Sequence, residues 1–171
     1  MDTLPIETLL DSFELHLRAK NRSPKTIHSY RLAVDQLLEY LESEGRPTEA
    51  DEIAKSDIQA FLAHFLATRA SATARQRYAS LKQFFKWAAI EGEIPADPMA
   101  AIEAPRVIEK PVPVFTVDQL RVLIKSCQSA SFEGRRDEAI VRLFADTGVR
   151  LGEMAGLSVG DVDLQLGVIV V

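Results

Sequence analysis

The residues best suited to chemistry stand in the stretch DTGVRLGEMAGL at positions 146–157. Arg150 follows a glycine turn among apolar neighbours, where a guanidinium needs a partner because desolvating a permanent charge is costly. Glu153 lies three residues further on, so one helical turn brings its carboxylate to the guanidinium. Two interpretations follow: a local ion pair that tightens a corner between helices, or an oriented guanidinium whose remaining donors bind a phosphate.

A second group of candidate residues is basic and lies in the first half of the chain. No acidic residue occurs between Asp57 and Glu91, although the whole chain carries a net charge of −5. Within this window Arg75, Lys82 and Lys86 are seven and eleven residues apart, so they share one face of a helix. Such a face suits the phosphates of a DNA groove, and the alternative is a solvated basic face on a bundle helix.

Further candidate DNA contacts stand at the start of an earlier predicted helix. Ser23 and Thr26 offer hydroxyl groups there, and Lys25 offers an ammonium group. The N-terminus of a helix adds backbone N–H donors and a partial positive charge, which favour an anion such as phosphate. These three residues therefore extend the predicted phosphate-binding surface.

Other reactive residue types lack the spacing of a site. His16, His28 and His64 fall on separate predicted helices, and Cys127 has no histidine close to it in sequence. Neither a GxGxxG nor a GK[ST] motif is present. We therefore expect no cofactor, no metal and no small-molecule substrate.

The composition is that of a globular protein, with 47% hydrophobic and 26% charged residues. A single cysteine excludes an intrachain disulfide framework. No apolar run reaches membrane-spanning length, and the acidic N-terminal stretch lacks the basic start of a signal peptide. These features predict a cytoplasmic protein without a membrane partner.

Apolar residues at helical spacing predict four helices in the first half of the chain. They cover 6–20, a segment from Ser23-Pro24 to near Gly45, a segment opened by the capping box Ser56-Asp57-Ile58-Gln59, and about 72–91. Phe84, Phe85 and Trp87 are interpreted as core residues rather than base-stacking residues. The predicted helical domain spans 1–94.

A change in amino-acid composition marks the predicted domain boundary. Five prolines stiffen residues 95–113 into an extended linker. The second domain, 114–171, begins with a helix capped by Thr116 and followed by a helix at about 135–146. Its last residues, from Gly167 onward, read as a strand that needs neighbouring strands, so we expect the chain to be part of a longer domain.

Three stretches together resemble the tyrosine recombinases, the phage-integrase family that includes the Xer proteins. DTGVRLGEMAGLSVGDVDL resembles the box of the family's first catalytic arginine. SPKTIHSYRLAVDQLLEYL and TARQRYASLKQFFKWAAIEGEIPADPMAAIEAPR are similar to two helices of its DNA-binding domain. The likeness runs from about residue 6 to the end of the chain.

The resemblance implies a mainly α fold, in which a four-helix SAM-like core-binding domain precedes the start of a mixed α/β, mostly helical catalytic domain. It also implies a double-stranded DNA partner, assembly with other recombinase subunits, and strand cleavage and rejoining through a 3′-phosphotyrosine without ATP or an essential metal. Arg150 would match the first of two arginines that hold the scissile phosphate, and Glu153 its supporting residue.

The chain also departs from the family pattern. The family's hairpin lysine, His-x-x-Arg box, later His or Trp and nucleophilic tyrosine have no counterpart after Arg150, and Val159-Gly160 replaces a common Trp and polar residue. Because the tyrosines present, Tyr30, Tyr40 and Tyr78, belong to the helical domain, we expect this chain alone not to recombine DNA. The alternatives are a non-enzymatic helical DNA-binding module and a protein-binding helical bundle.

Overall fold

The computed structural model describes residues 5–108 and 111–170. The chain divides into two compact units, Met1–Lys110 and Pro111–Val171. The first unit contains α1 (Ile6–Ala19), α2 (Pro24–Ser43), α3 (Lys55–Thr68) and α4 (Ser71–Glu91). The second contains α5 (Val117–Cys127), α6 (Phe132–Thr147), α7 (Leu151–Gly156), a 3-10 turn (Val159–Asp161), β1 (Val162–Asp163) and β2 (Val168–Ile169). The mainly α fold predicted from the sequence is confirmed.

The first unit is a four-helix bundle with an aromatic core. Helix α2 packs against α1, α3 and α4, and α4 contacts α1 and α3. Phe84 and Phe85 are fully buried, and the Phe13 ring lies with its centroid 5.5 Å from Phe84 and 5.1 Å from Trp87. The interpretation of the α4 aromatics as core residues is therefore confirmed. Within the described residues, Trp87 Nε1 is the one buried side-chain polar atom without a hydrogen-bond partner.

Most helix ends lie where local sequence signals predict them. The Ser23 hydroxyl accepts a hydrogen bond from the Thr26 N–H at 3.2 Å, directly before the proline that begins α2. Thr116 and Gln119 exchange side-chain and backbone hydrogen bonds at the start of α5. Gly92 has a φ of 80° just beyond the end of α4, a left-handed conformation that glycine adopts without strain.

The predicted start of α3 is wrong by two residues. The helix begins at Lys55, after Ala54, and the Ser56 hydroxyl does not cap it. Asp57 does so instead: its Oδ2 accepts the Ala54 N–H at 2.9 Å. Its Oδ1 accepts a hydrogen bond from Arg46 Nη1 at 2.6 Å, so one nearly buried carboxylate caps α3 and fastens the loop before it.

The first unit extends past residue 94, where the sequence places its end. Ile94, Met99 and Ile102 are buried in the bundle core, and Tyr78 Oη donates a hydrogen bond to the Ile102 carbonyl at 2.6 Å. Further along the chain, the Ile108 N–H donates a hydrogen bond to Ser71 Oγ, at the start of α4, at 3.4 Å. The proline-rich segment predicted as a linker thus folds back along α4, because apolar residues alternate with its prolines and fill the core.

The second unit differs in its packing. Helices α5 and α6 contact each other, yet none of the described residues from 111 to 170 is buried. Of the residues predicted to face inward on α5, Leu120, Ile124 and Cys127 are half-buried, and Leu123 is exposed. A hydrophobic stripe in the sequence is therefore present without being enclosed.

The strand predicted near the end of the chain is only partly correct. Val168–Ile169 forms β2, and it pairs in antiparallel register with β1, which the sequence did not reveal. Gly167 takes a φ of 65° at the turn of this hairpin. The predicted strand also includes Val171, which lies outside the described residues. Among the helices described, none combines the length and the hydropathy that crossing a membrane requires.

Candidate functional site

Arg150 occupies the N-cap position of α7, directly after the left-handed Gly148 turn and Val149. Arg150 Nη1 donates a hydrogen bond to Glu153 Oε1 at 2.7 Å, and the Arg150 backbone N–H donates to Glu153 Oε2 at 2.8 Å. The predicted pairing of the two residues is therefore present. One oxygen of the Glu153 carboxylate thus accepts a hydrogen bond from the side chain of Arg150, and the other accepts one from its main chain.

The Arg150–Glu153 pair is more exposed to solvent than its apolar neighbours in the sequence suggest. The Arg150 side chain is 85% exposed and that of Glu153 is 33% exposed. The guanidinium therefore bears little desolvation cost, and its remaining donors face solvent. The pair borders a depression of about 340 Å³ whose other lining residues include Thr147, Met154 and Ile169.

The carboxylate of Glu153 is held in its charged form. The backbone N–H of Arg150 lowers the pKa of Glu153 most, and the hydrogen bond from the Arg150 side chain lowers it further. Glu153 therefore stays ionised beside Arg150 across the neutral range. The pair can orient the guanidinium and leave its free donors available to an anion.

A second candidate surface lies in the first unit, where the N-terminal end of α2 meets α4. The two helices border a depression of about 850 Å³. Its lining contains cationic, neutral polar and a few apolar side chains and no carboxylate: Arg22, Ser23, Lys25, Thr26, His28, Ser29, Tyr30, Leu32, Gln76, Arg77, Ala79, Ser80 and Gln83. Gln76 Nε2 donates to Ser29 Oγ at 3.1 Å and joins the two helices there.

The three candidate residues of α2 line this depression, although they are not equally free. Lys25 is exposed. The hydroxyls of Ser23 and Thr26 lie 2.9 Å apart, and Ser23 also accepts the Thr26 N–H of the helix cap. Ser23 therefore has a structural role as the cap of α2, whereas the Lys25 side chain has no hydrogen-bond or ion-pair partner among the described residues.

The three candidate cations of α4 lie outside this depression and have different surroundings. Arg75 and Lys86 are exposed, and Lys86 borders a separate depression beside His16 and Trp87. Lys82 is half-buried, and its Nζ donates to Tyr78 Oη at 2.9 Å. That hydrogen bond is the main cause of a raised pKa for Lys82. The three cations therefore have unequal surroundings, because the Lys82 ammonium group is hydrogen-bonded to Tyr78 on the same helix.

Arg77, which is not among the site residues predicted from the sequence, lines the acid-free depression. Its side chain is buried, and its Nε donates to Gln36 Oε1 on α2 at 2.6 Å. No carboxylate pairs with it within the described part of the chain, and burial lowers its pKa. A sequence signal existed, because Arg77 precedes the buried Phe84 by seven residues and so falls on the inner side of α4.

Metal ligation has no candidate among residues 5–108 and 111–170. No group of three or more His, Cys, Asp or Glu side chains converges there. Cys127 is a free, half-buried thiol.

Known proteins resemble this chain both in sequence and in fold. Residues 10–92 match the family model described as phage integrase, N-terminal SAM-like domain. Tyrosine recombinase XerD of Listeria innocua is 30% identical, over 94% of this chain and 55% of the relative. Tyrosine recombinase XerC of Mycobacterium leprae is 32% identical, over 92% of this chain and 54% of the relative. The chain thus spans slightly more than half the length of these relatives.

Solved structures resemble the chain at the level of the fold. A lambda integrase dimer bound to a COC′ core site has a TM-score of 0.74 and 20% identity, over 98% of this chain and 48% of the integrase chain. A lambda integrase tetramer bound to a Holliday junction has a TM-score of 0.75 and 21% identity, over 94% and 45%. At such identities the likeness concerns the fold alone.

The four-helix bundle and its match define the first unit as a SAM-like domain of the phage-integrase type. The sequence relatives extend over both units, and the chain is similar to the N-terminal part of these tyrosine recombinases.

Proposed function

We propose that this chain binds double-stranded DNA in site-specific recombination, through the face of the first unit formed by α2 and α4. The observation that carries the proposal is the acid-free depression between these helices, lined by Arg22, Lys25 and Arg77. In a chain with a net charge of −5, a concave surface without carboxylates concentrates positive potential where an anionic partner must approach. Relatives named as tyrosine recombinases support the same conclusion.

The proposed DNA interface consists of the N-terminal end of α2 and the exposed face of α4. The N-terminus of α2 brings Lys25 and the partial positive charge of the helix end to the phosphates of one DNA strand, with Ser23 and Thr26 beside it. The exposed cations Arg75 and Lys86 of α4 extend the positive surface. Lys82 contributes charge from a fixed position, because its ammonium group is held by Tyr78.

Salt-dependent binding to duplex DNA tests the proposal. We expect the affinity of the chain for mixed-sequence duplex, measured by fluorescence anisotropy, to fall as salt rises, because released counterions drive phosphate contacts. Combined removal of charge at Lys25, Arg75 and Lys86 should weaken binding at least about tenfold and flatten the salt dependence. The matched control is Lys55→Ala, at an exposed position beginning α3. Binding that is absent, or equally affected by the control, contradicts the proposal.

We further propose that Arg150 binds the scissile phosphate in the recombination reaction, with Glu153 as its positioning residue. The exposed guanidinium, fixed on one side by Glu153, supports this assignment. The tyrosines of the sequence, Tyr30, Tyr40 and Tyr78, all lie in the helical first unit. Lambda integrase in dimeric and tetrameric form supports assembly of recombinase subunits on DNA as the setting.

The role of Arg150 is testable where this segment is joined to a chain that supplies the nucleophilic tyrosine. Arg150→Ala should then abolish cleavage of a nicked suicide substrate and leave DNA binding largely intact, because the guanidinium stabilises charge that develops only in the transition state. Near-normal cleavage would refute the assignment. DNA binding without any cleavage in the parental protein would favour a non-enzymatic binding module.

A further inference from the structure

Arg77 is the most unusual charged residue of the first unit. Only 8% of it is exposed, and it lines the acid-free depression between α2 and α4. Its Nε is satisfied by Gln36 Oε1 at 2.6 Å. Its two terminal nitrogens make no hydrogen bond within the part of the chain that the structure describes, and they are not among the sealed, unsatisfied atoms of that part. They are therefore not sealed from solvent, and Arg77 is among the residues that line the depression.

This arrangement leaves a nearly buried positive charge without a countercharge. Desolvating a guanidinium is costly, and natural structures usually offset the cost with a carboxylate. Carboxylates lie on the same helices, but none pairs with Arg77; Arg31, by contrast, binds Asp11 and Glu14 on α1. A neutral amide orients Arg77 without neutralising it, so its charge remains available to a ligand.

We propose that Arg77, positioned by Gln36, is the principal phosphate-binding residue of this surface, taking one DNA backbone phosphate on its terminal nitrogens. The inference rests on the proposed DNA binding and adds a division of roles within it. A guanidinium presents two parallel N–H donors that match two phosphate oxygens, and a rigidly held one loses little side-chain entropy on binding. The low dielectric around Arg77 strengthens this contact relative to contacts of the exposed Lys25 or Arg75.

Gln36→Glu tests the inference without removing Arg77. The new carboxylate would lie against the guanidinium and form the missing ion pair, so the bundle should unfold at the same or a higher urea concentration. Affinity for mixed-sequence duplex DNA should nevertheless fall about tenfold or more, as expected for loss of a charged hydrogen bond. The slope of log affinity against log salt should become shallower by about 0.9, the share of one phosphate.

Gln59→Glu is the matched control, because it makes the same change of charge at an exposed position of α3 that does not line the depression. It should change affinity less than about twofold. Equal weakening by both variants would overturn the inference, since net charge alone would then explain it. Retained parental affinity in Gln36→Glu would overturn it as well.

Arg77→Gln provides the direct comparison. If the variant is folded by circular dichroism, binding as tight as that of the parent overturns the inference, and a tenfold loss supports it; if it does not fold, Gln36→Glu decides. If the parent chain does not bind duplex DNA, the proposed function is refuted, and the assignment of Arg77 is refuted with it. Parental binding with unaffected variants removes only the assignment to Arg77.

Discussion

At the residue scale, the ion pair that the spacing of Arg150 and Glu153 predicts is present, and phosphate binding by the remaining donors stays a prediction. The separation of three residues predicts that the carboxylate meets the guanidinium, and it does so at 2.7 Å. What the spacing does not reveal is the second contact, in which the Arg150 backbone N–H donates to the same carboxylate. That bond arises because Arg150 takes an extended conformation as the N-cap, and it fixes Glu153 even when the guanidinium turns to another anion.

The titration of Glu153 measures these two contacts separately. The pKa of Glu153 is lowered first by the Arg150 backbone N–H and second by the guanidinium. Arg150→Ala keeps the first contact, so we expect the pKa of Glu153 to rise only part of the way to that of an unfolded chain. Because the pKa is lower in the folded state, the cap is fully present above the ordinary glutamate range and is lost as the pH falls through the lowered pKa.

Carboxyl-detected NMR titration follows this change. Glu138 serves as the internal control, since its pKa is lowered mainly by Arg142 and should not respond to Arg150→Ala. A complete return of the Glu153 pKa to the unfolded-chain value would mean that the backbone contact contributes little.

At the element scale, helix ends were predictable wherever the signal is local. Ser23 and Thr116 each cap the helix that begins directly after them, as predicted, and α4 ends at Glu91, the predicted residue. The start of α3 is harder to predict. Asp57, which caps the helix, also accepts a hydrogen bond from Arg46, a residue eleven positions earlier in the chain. A side chain that reaches across a loop leaves no spacing rule in the sequence.

Asp57→Ala should therefore destabilise the first unit, whereas Ser56→Ala should not. The first change removes the cap of α3 and leaves Arg46 without its partner, and we expect a loss of about 2 kcal/mol in the free energy of unfolding. Ser56 is exposed and does not cap the helix, so its replacement should cost less than about 0.5 kcal/mol. Urea denaturation of the two variants measures both values, and a larger loss for Ser56→Ala would contradict the structure.

At the scale of the whole molecule, the two units differ in how far they enclose their apolar residues. All the buried core residues lie between Ile6 and Ile102, and the second unit has none among its described residues. Periodicity predicted apolar stripes in both halves equally well, because it reports which residues share a face and not whether another element covers it. For the same reason Arg77 was missed: its burial depends on how α2 meets α4.

Hydrogen exchange should reveal the difference between the units. Backbone amides in the middle of α4 lie over a closed core, whereas those of α5 and α6 are protected by partly exposed packing. We expect amides of α5 and α6 to exchange on the order of a hundredfold faster, equivalent to about 3 kcal/mol in opening free energy. Mass spectrometry on peptides from 117–127 and 71–91 compares them directly. Equal protection would show that the second unit is more tightly closed than its side-chain burial indicates.

The position of Trp87 determines what optical methods can detect in this protein. It is the single tryptophan of the chain, and its indole lies in the first unit with its centroid 5.1 Å from the Phe13 ring and 5.8 Å from the His16 ring. Intrinsic tryptophan emission therefore follows the melting of the four-helix bundle, whereas far-ultraviolet circular dichroism samples the helices of both units. Two unfolding curves that fail to superimpose would describe two regions of one chain, and they would not by themselves indicate a folding intermediate.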